Sequence, residues 1–354
     1  MALTERLVER LIASGVPLDR ASLARAAFEM LPEVAPLAGP ADVTEAVDAL
    51  VGLGPIERLL RDPHVSDVLV NRFDDVWVER HGRLAKTAVA FADPTAVLAA
   101  VERVISPLGL RIDRASPAVD ARLPDGSRLH AVIPPIAVDG PAMAVRRFTE
   151  AVGSLEELEA AGGVDGTGAA ILEESVAARD NLLVSGGTGS GKTTLLNLLS
   201  KKIAPGQRVV TVEDAAELRL TGHVVRLESR PANAEGAGEI PLRALVRHAL
   251  RLRPDRIIVG EVRGPEALDM IQAMSTGHDG SMSTVHANSP SEALLRIENL
   301  AVSGDARVAQ QTVAVQLRAA LDVVVQVERR EGIRRVASIA TVTPDGIEEV
   351  YRCS

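Results

Sequence analysis

Apolar positions change rhythm along the chain. Across residues 2–53, Leu7, Leu11, Leu23 and Leu50 recur at helical spacing among charged residues, and Pro17, Pro32, Pro36 and Pro40 interrupt the run. The pattern predicts short amphipathic helices punctuated by prolines. Such helices form either a small cap or an arm that docks a partner. From 54 to 150 the apolar runs shorten. Val68–Val70 and Val76–Val78 read as strands, and Ala96–Ile105 as a helix. Pro124-Asp125-Gly126 is a turn between two extended segments, and a further strand runs from Ala142 to Phe148. The expectation is an α+β domain with a mostly antiparallel sheet.

Residues 151–165, a helix-like piece ending in Ala161-Gly-Gly-Val-Asp-Gly166, are expected to link two domains. From 166 onward strands and helices alternate, which predicts a mostly parallel α/β sheet. Asn181–Ser185, Arg208–Val212 and Arg256–Val259 are short apolar runs of the kind buried parallel strands require. Val323–Val327, Val336–Ala340 and Glu348–Tyr351 read as closing strands. The expected organisation is therefore a helical appendage (1–53), an α+β domain (54–150), a linker (151–165) and an α/β domain (166–354).

Composition narrows the function classes. The net charge is -9 and the aromatics are Trp77, Tyr351 and four Phe. Duplex binding draws on basic excess and single-strand binding on exposed aromatics, so direct nucleic-acid recognition is not expected. The single cysteine, Cys353, can build neither a disulfide framework nor a cysteine-rich metal site, which fits a reducing cytoplasm. The charged N-terminus lacks the apolar core of a signal peptide, and no apolar run is long enough to span a bilayer. A membrane role would come through a partner.

The chemistry concentrates after residue 180. The strand Asn181-Leu-Leu-Val184 leads into Gly186, Gly187, Thr188, Gly189, Ser190, Gly191, Lys192, Thr193 and Thr194, followed by the helix-like Leu195–Ser200. This is G-x-x-x-x-G-K-[ST] in a strand–loop–helix setting, the phosphate cradle of a nucleoside triphosphate site. Lys192 is expected at the β- and γ-phosphates and the Thr193 hydroxyl on Mg²⁺. Two later strands end in carboxylates: Val209-Val-Thr-Val-Glu213-Asp214, with Glu217 beyond, and Arg256-Ile-Ile-Val-Gly260-Glu261. In the second, glycine stands where many P-loop enzymes carry an aspartate. Glu261 is then the expected general base, with Glu213 and Asp214 as outer-shell contacts to Mg²⁺. His278 and His286 share a Gly/Ser/Thr-rich stretch and are expected to sense the γ-phosphate. The other histidines, His64, His81, His130, His223 and His248, read as ordinary surface or core residues. Charge developing on the γ-phosphoryl oxygens calls for a further cation. Arg122, Arg128, Arg146, Arg147 and Arg263 are the candidates, and Arg128 and Arg146 are favoured because each follows or closes a predicted strand facing the linker.

The order of these motifs resembles the secretion ATPase superfamily, whose members power type II secretion, type IV pili and type IV secretion. The P-loop, Thr211-Val-Glu-Asp-Ala-Ala-Glu217, Arg253-Pro-Asp-Arg-Ile-Ile-Val-Gly-Glu-Val-Arg-Gly264 and Thr276-Gly-His-Asp-Gly-Ser-Met-Ser-Thr-Val-His-Ala-Asn-Ser-Pro290 look like its Walker A, Asp box, atypical Walker B and His box. Upstream, Gly52-Leu-Gly-Pro-Ile-Glu57, Val65-Ser-Asp-Val-Leu-Val-Asn71, Asp120–Arg128 and Ile133-Pro-Pro-Ile-Ala-Val-Asp-Gly-Pro141 look like the Tad/Flp pilus-assembly branch. The four-cysteine zinc element of some type II members has no counterpart here. The resemblance runs from about residue 50 to the end.

The resemblance implies a RecA-like C-terminal domain, a smaller PAS-like α+β N-terminal domain and a helical appendage. It implies ATP and Mg²⁺ as ligands and a cytoplasmic homo-hexamer docked on an inner-membrane platform protein. Nucleotide would bind between the domains, with Arg128 and Arg146 reaching the phosphates. The alternatives are a type IV secretion or conjugation ATPase, a RecA-like DNA motor, a small-molecule P-loop kinase and a nucleotide-binding scaffold.

Overall fold

The structure, a computed structural model, describes residues 3–34, 39–80, 82–147, 152–230, 232, 237–304, 307–330 and 332–353. Pro36, His81 and Phe148 lie outside them. The chain divides into two compact units, Met1–Thr149 and Glu150–Ser354.

The first unit opens with three helices, α1 (Leu3–Ala13), α2 (Arg20–Val34) and α3 (Pro40–Val51). Leu7, Leu11, Leu23, Ala27, Val43 and Ala46 meet in a core of their own. Pro40 sits at the start of α3, where a missing N–H costs nothing. Pro32, expected as an interruption, lies within the last turn of α2. So near the C-terminus a proline disrupts little of the helix that follows it. Beneath α3, Asp48 is almost fully buried and accepts from Arg20 Nη1 at 2.7 Å and from Arg61. Arg61 follows the short helix α4 (Glu57–Leu60), so this shared carboxylate ties the helices to what comes next.

A six-stranded antiparallel sheet follows: β1 (Val65–Arg72), β2 (Asp75–Arg80), β3 (Arg83–Lys86), then helix α5 (Pro94–Ile105), then β4 (Ala118–Arg122), β5 (Arg128–Val132) and β6 (Ala142–Arg146). Its order is β3-β2-β1-β6-β5-β4. One face alternates into a core of Val68, Val70, Val76, Leu129, Met143 and Val145, packed with Val97 and Val101 of α5. The opposite face mixes Asp67, Glu79, His130 and Arg146 with Leu69, Trp77 and Ala144.

The second unit is a three-layer α/β/α sandwich. Its elements are α6 (Leu155–Ala160), α7 (Gly166–Ala178), β7 (Leu182–Gly186), α8 (Lys192–Lys201), β8 (Val209–Glu213), β9 (Val224–Glu228), α9 (Leu242–Ala249), β10 (Arg256–Val259), α10 (Glu266–Met274), β11 (Met282–Val285), α11 (Pro290–Gly304), α12 (Gln310–Ala320), β12 (Val323–Arg330), β13 (Ile333–Thr343) and β14 (Gly346–Arg352). The strand order is β14-β13-β12-β7-β11-β10-β8-β9, with β12 through β9 mutually parallel. Side chains alternate between two cores. Leu183, Val210, Val212, Ile257, Val259 and Val285 face α9–α12. Leu182, Val184, Val209, Ile258 and Met282 face α6–α8. Leu155, Leu158 and Val164, in the stretch expected as linker, are buried in that second core.

The sheet carries two parallel strands that the apolar pattern had not signalled. β11 reads Met-Ser-Thr-Val and lies wholly buried between β7 and β10, with Thr284 Oγ1 donating to Gly260 O at 2.7 Å. β9 is an edge strand with Arg226 and Glu228 in it.

Below the sheet, Arg256 is 1 % exposed. Its Nε donates to Gln207 Oε1 at 2.6 Å, Nη2 to Val176 O at 2.9 Å and Nη1 to Gly280 O at 3.3 Å. Removing it takes a donor from Gln207 Oε1 and Gly280 O, while Val176 O keeps Arg179 N at 3.3 Å. Arg256→Met is expected to cost about 3 kcal/mol of stability in urea denaturation. A loss under about 1 kcal/mol would mean those acceptors find other donors.

Candidate nucleotide-binding site

Parallel strands buried on both faces leave room for chemistry only at their ends, and ligands collect at the carboxyl edge. Four features meet there. The first is the loop from β7 into α8. Gly189 and Gly191 have φ of +69° and +99°, so the chain can fold back and present N–H groups inward. The first turn of α8 contributes those of Lys192, Thr193 and Thr194, together with the positive end of its dipole. Lys192 Nζ donates to Gly186 O and Gly187 O, each at 3.0 Å, and Ser190 Oγ to Gly187 O at 2.8 Å. Thr188 is exposed and Gly187 faces open space. A glycine-rich turn at a helix N-terminus is the kind of loop that suits an anion.

The second feature is His286, exposed one residue beyond Val285, which pairs with Ser185. Adjacent strands run about 5 Å apart, so His286 starts beside Gly186. The third is Glu261, two residues past the end of β10 and about 10 Å from β7 by strand spacing. Arg263 Nε holds Glu261 Oε2 at 2.8 Å, and Arg263 Nη1 lies 3.6 Å from Asp214 Oδ2. One guanidinium bridges both carboxylates.

The fourth is Glu213 at the end of β8, 2 % exposed. Its Oε1 accepts from Glu217 N at 2.8 Å and Leu218 N at 2.9 Å, while no donor among the described residues reaches Oε2. Burial raises its pKa above the ordinary carboxylate value. The same side chain explains the glycine at 260. A Cβ there would stand 2.9 Å from Glu213 Cγ, so a larger residue at 260 and Glu213 exclude each other. The segment after Glu213 then crosses to α8, where Arg219 N donates to Asn197 Oδ1 at 3.0 Å. A buried, unpartnered carboxylate oxygen suits a divalent cation or its water shell. Thr193, Glu213 and Asp214 are chemically suited to hold Mg²⁺.

Three expected residues fare differently. His278 does not join His286. It precedes β11, at the amino edge of the sheet, where Ser281 N donates to Asn181 Oδ1 ahead of β7. Its Nδ1 lies 3.2 Å from Ala273 O at the end of α10. A four-residue strand of roughly 10 Å separates it from the edge that carries the P-loop. Arg128 and Arg146 lie in the first unit, directly opposite each other on β5 and β6, with Arg122 opposite Arg128 on β4. The row lies on the face away from the buried one.

Arg334 on β13 went unnoticed in the sequence. Its Nε donates to Gly189 O at 3.2 Å. No motif surrounds it; only the pairing of β13 with β12 places it there.

Residues 49–339 match the family described as Type II/IV secretion system protein, and the chain belongs to that family. A putative conjugal transfer protein of Mycobacterium tuberculosis is 45% identical over 83% of this chain and 85% of its own length. Conjugal transfer protein TrbB of Rhizobium radiobacter is 32% identical over 79% of this chain and 84% of its own. The fold is similar to the ATPase DotB of Legionella pneumophila, with a TM-score of 0.56 at 20% identity over 82% of this chain and 81% of that one.

The raised pKa of Glu213 has a sign. The folded protein keeps this proton where the unfolded chain, near 4.5, has released it. The contribution is full below 4.5 and is lost as pH rises toward the folded value. In metal-free buffer, the urea midpoint of wild type should therefore fall relative to Glu213→Gln as pH is raised from 4.5. Parallel midpoints across that range would show that Glu213 is ionised in both states.

Proposed function

We propose that this chain is an ATP-hydrolysing motor, acting as a homo-hexameric ring, that powers assembly of a Tad/Flp-type pilus or a related secretion step across the inner membrane. The observation that carries the reading is the alignment of a complete phosphate cradle, Gly186–Thr194, with Glu213 and Glu261 on one edge of one sheet. Family membership supports it, as does the fold shared with a protein named as an ATPase.

In this reading the loop N–H groups and Lys192 hold the β- and γ-phosphates. Lys192 exchanges the carbonyls of Gly186 and Gly187 for phosphate oxygens. Glu261, released from Arg263, orients water in line with the γ-phosphate. His286 hydrogen-bonds the γ-phosphate and registers its loss. Arg128 and Arg146 stabilise charge on the transferring oxygens. Thr193, Glu213 and Asp214 would hold Mg²⁺, which would supply charge neutralisation at the phosphates. No helix among the described residues is long and apolar enough to cross a membrane. The ring would act at the cytoplasmic side of the inner membrane by docking on a platform protein.

A conjugation or type IV secretion motor is the second reading, favoured by the names of the mycobacterial and TrbB relatives. The catalytic parts serve both. A pilin or a relaxase encoded beside this chain separates them.

The purified chain is expected to hydrolyse ATP with Mg²⁺ as a hexamer, indifferent to added DNA. Glu261→Gln should bind ATP and lose at least about 100-fold in turnover, whereas Lys192→Ala should lose binding itself. Near-normal turnover in Glu261→Gln would remove the base assignment, and strong stimulation by DNA would favour a nucleic-acid motor.

A further inference from the structure

The hairpin of β12 and β13 lies beside the P-loop and has been given no part in the site. β12 pairs with β7 as far as Val327 opposite Gly186, then continues through Arg330. It therefore overhangs the start of the phosphate cradle by three residues. On the returning strand, Arg334 reaches back onto the loop. Its Nε donates to Gly189 O at 3.2 Å. Its stem covers Gly191, where a Cβ would lie 3.3 Å from Arg334 Cδ.

Cross-strand pairing gives this contact a direction. Arg329 stands directly opposite Arg334, so both project from one face of the hairpin. Glu328 stands opposite Arg335, and that pair closes a bond of 2.8 Å between Arg335 Nε and Glu328 Oε1. One face of the hairpin thus matches an arginine with a carboxylate. The other, on the P-loop side, sets Arg329 and Arg334 abreast.

We propose that Arg334 is a second cation of the phosphate cradle, held against Gly189 and Gly191 and strengthening nucleotide binding by its charge. Lys192 and Arg334 both donate to loop carbonyls, at Gly186, Gly187 and Gly189. The carbonyl side of the loop is turned toward cations, which leaves its N–H side to the phosphates. Lys192 must leave its carbonyls to meet the ligand. Arg334 acts from where it stands, because a guanidinium stays charged at any working pH and its field falls on the loop. Arg334 is thus a positioning residue acting through the loop. The inference rests on reading Gly186–Thr194 as a nucleotide site.

The test is calorimetric titration of the full chain with Mg²⁺ and ADP, which excludes turnover. Arg334→Gln keeps a donor for Gly189 O and removes the charge, whereas Arg334→Lys keeps the charge. Arg334→Gln is expected to bind ADP roughly tenfold more weakly at low salt, with the gap narrowing in about 0.5 M salt. Arg334→Lys is expected within about threefold of wild type. Wild-type affinity in Arg334→Gln, or an equal loss in both variants, overturns the proposal. Should Arg334→Gln not fold, Arg334→Lys decides: a loss of about tenfold overturns it, and retained, salt-sensitive affinity supports it. Lys192→Ala is the control. If wild type itself binds no ADP, the nucleotide-site reading fails. If wild type binds and only the arginine variants are silent, the inference about Arg334 fails alone.

Discussion

Burial on both faces of the parallel sheet is the constraint from which the site follows. Strands β7, β8, β10 and β11 are buried along their whole lengths. Their backbones pair in parallel, so all carboxyl ends fall on one edge. Polar chemistry excluded from the faces has only the edges to occupy. Ser185 pairs with Val285, and Val259 pairs with Val212 and Ser283. Those registers place Gly186, His286, Glu261 and Glu213 near a common level. A one-residue slip in any strand would move its terminal group off that level and turn its core side chains to the wrong layer.

The exchange between residues 213 and 260 shows how tightly this edge is packed. Space that a side chain at 260 would need is taken by the Glu213 stem. The carboxylate therefore comes from the neighbouring strand, and it arrives desolvated, with one oxygen that no donor among the described residues reaches. A group held in that state favours its proton until a cation displaces it. Arg263 plays the opposite part across the edge, joining Glu261 and Asp214 in one ion-pair bridge.

Much of this was legible in the sequence because the informative signals are local. The P-loop is contiguous, and its glycines, lysine and threonine announce both geometry and ligand. Glu213 and Glu261 follow apolar runs that read as strands without help from the rest of the chain. β11 was hidden because Ser283 and Thr284 are polar yet buried, and Thr284 satisfies its hydroxyl on the next strand, a partner no local pattern reveals. That hidden strand also explains His278. Thr276–Pro290 looked like one loop, and inserting a strand into it sends its two histidines to opposite edges. Arg334 was illegible because only the tertiary pairing of a hairpin brings it to the P-loop.

Asp48 carries a different consequence. A nearly buried carboxylate shared by Arg20 of the helices and Arg61 beside the sheet cannot give up either cation cheaply. Gly52 O adds a second tie by accepting from Arg103 at 2.7 Å. In mechanical terms the three helices are a handle and not a tether. A load applied to them passes through these bonds into the domain that carries the arginine row, with no slack chain between to absorb it.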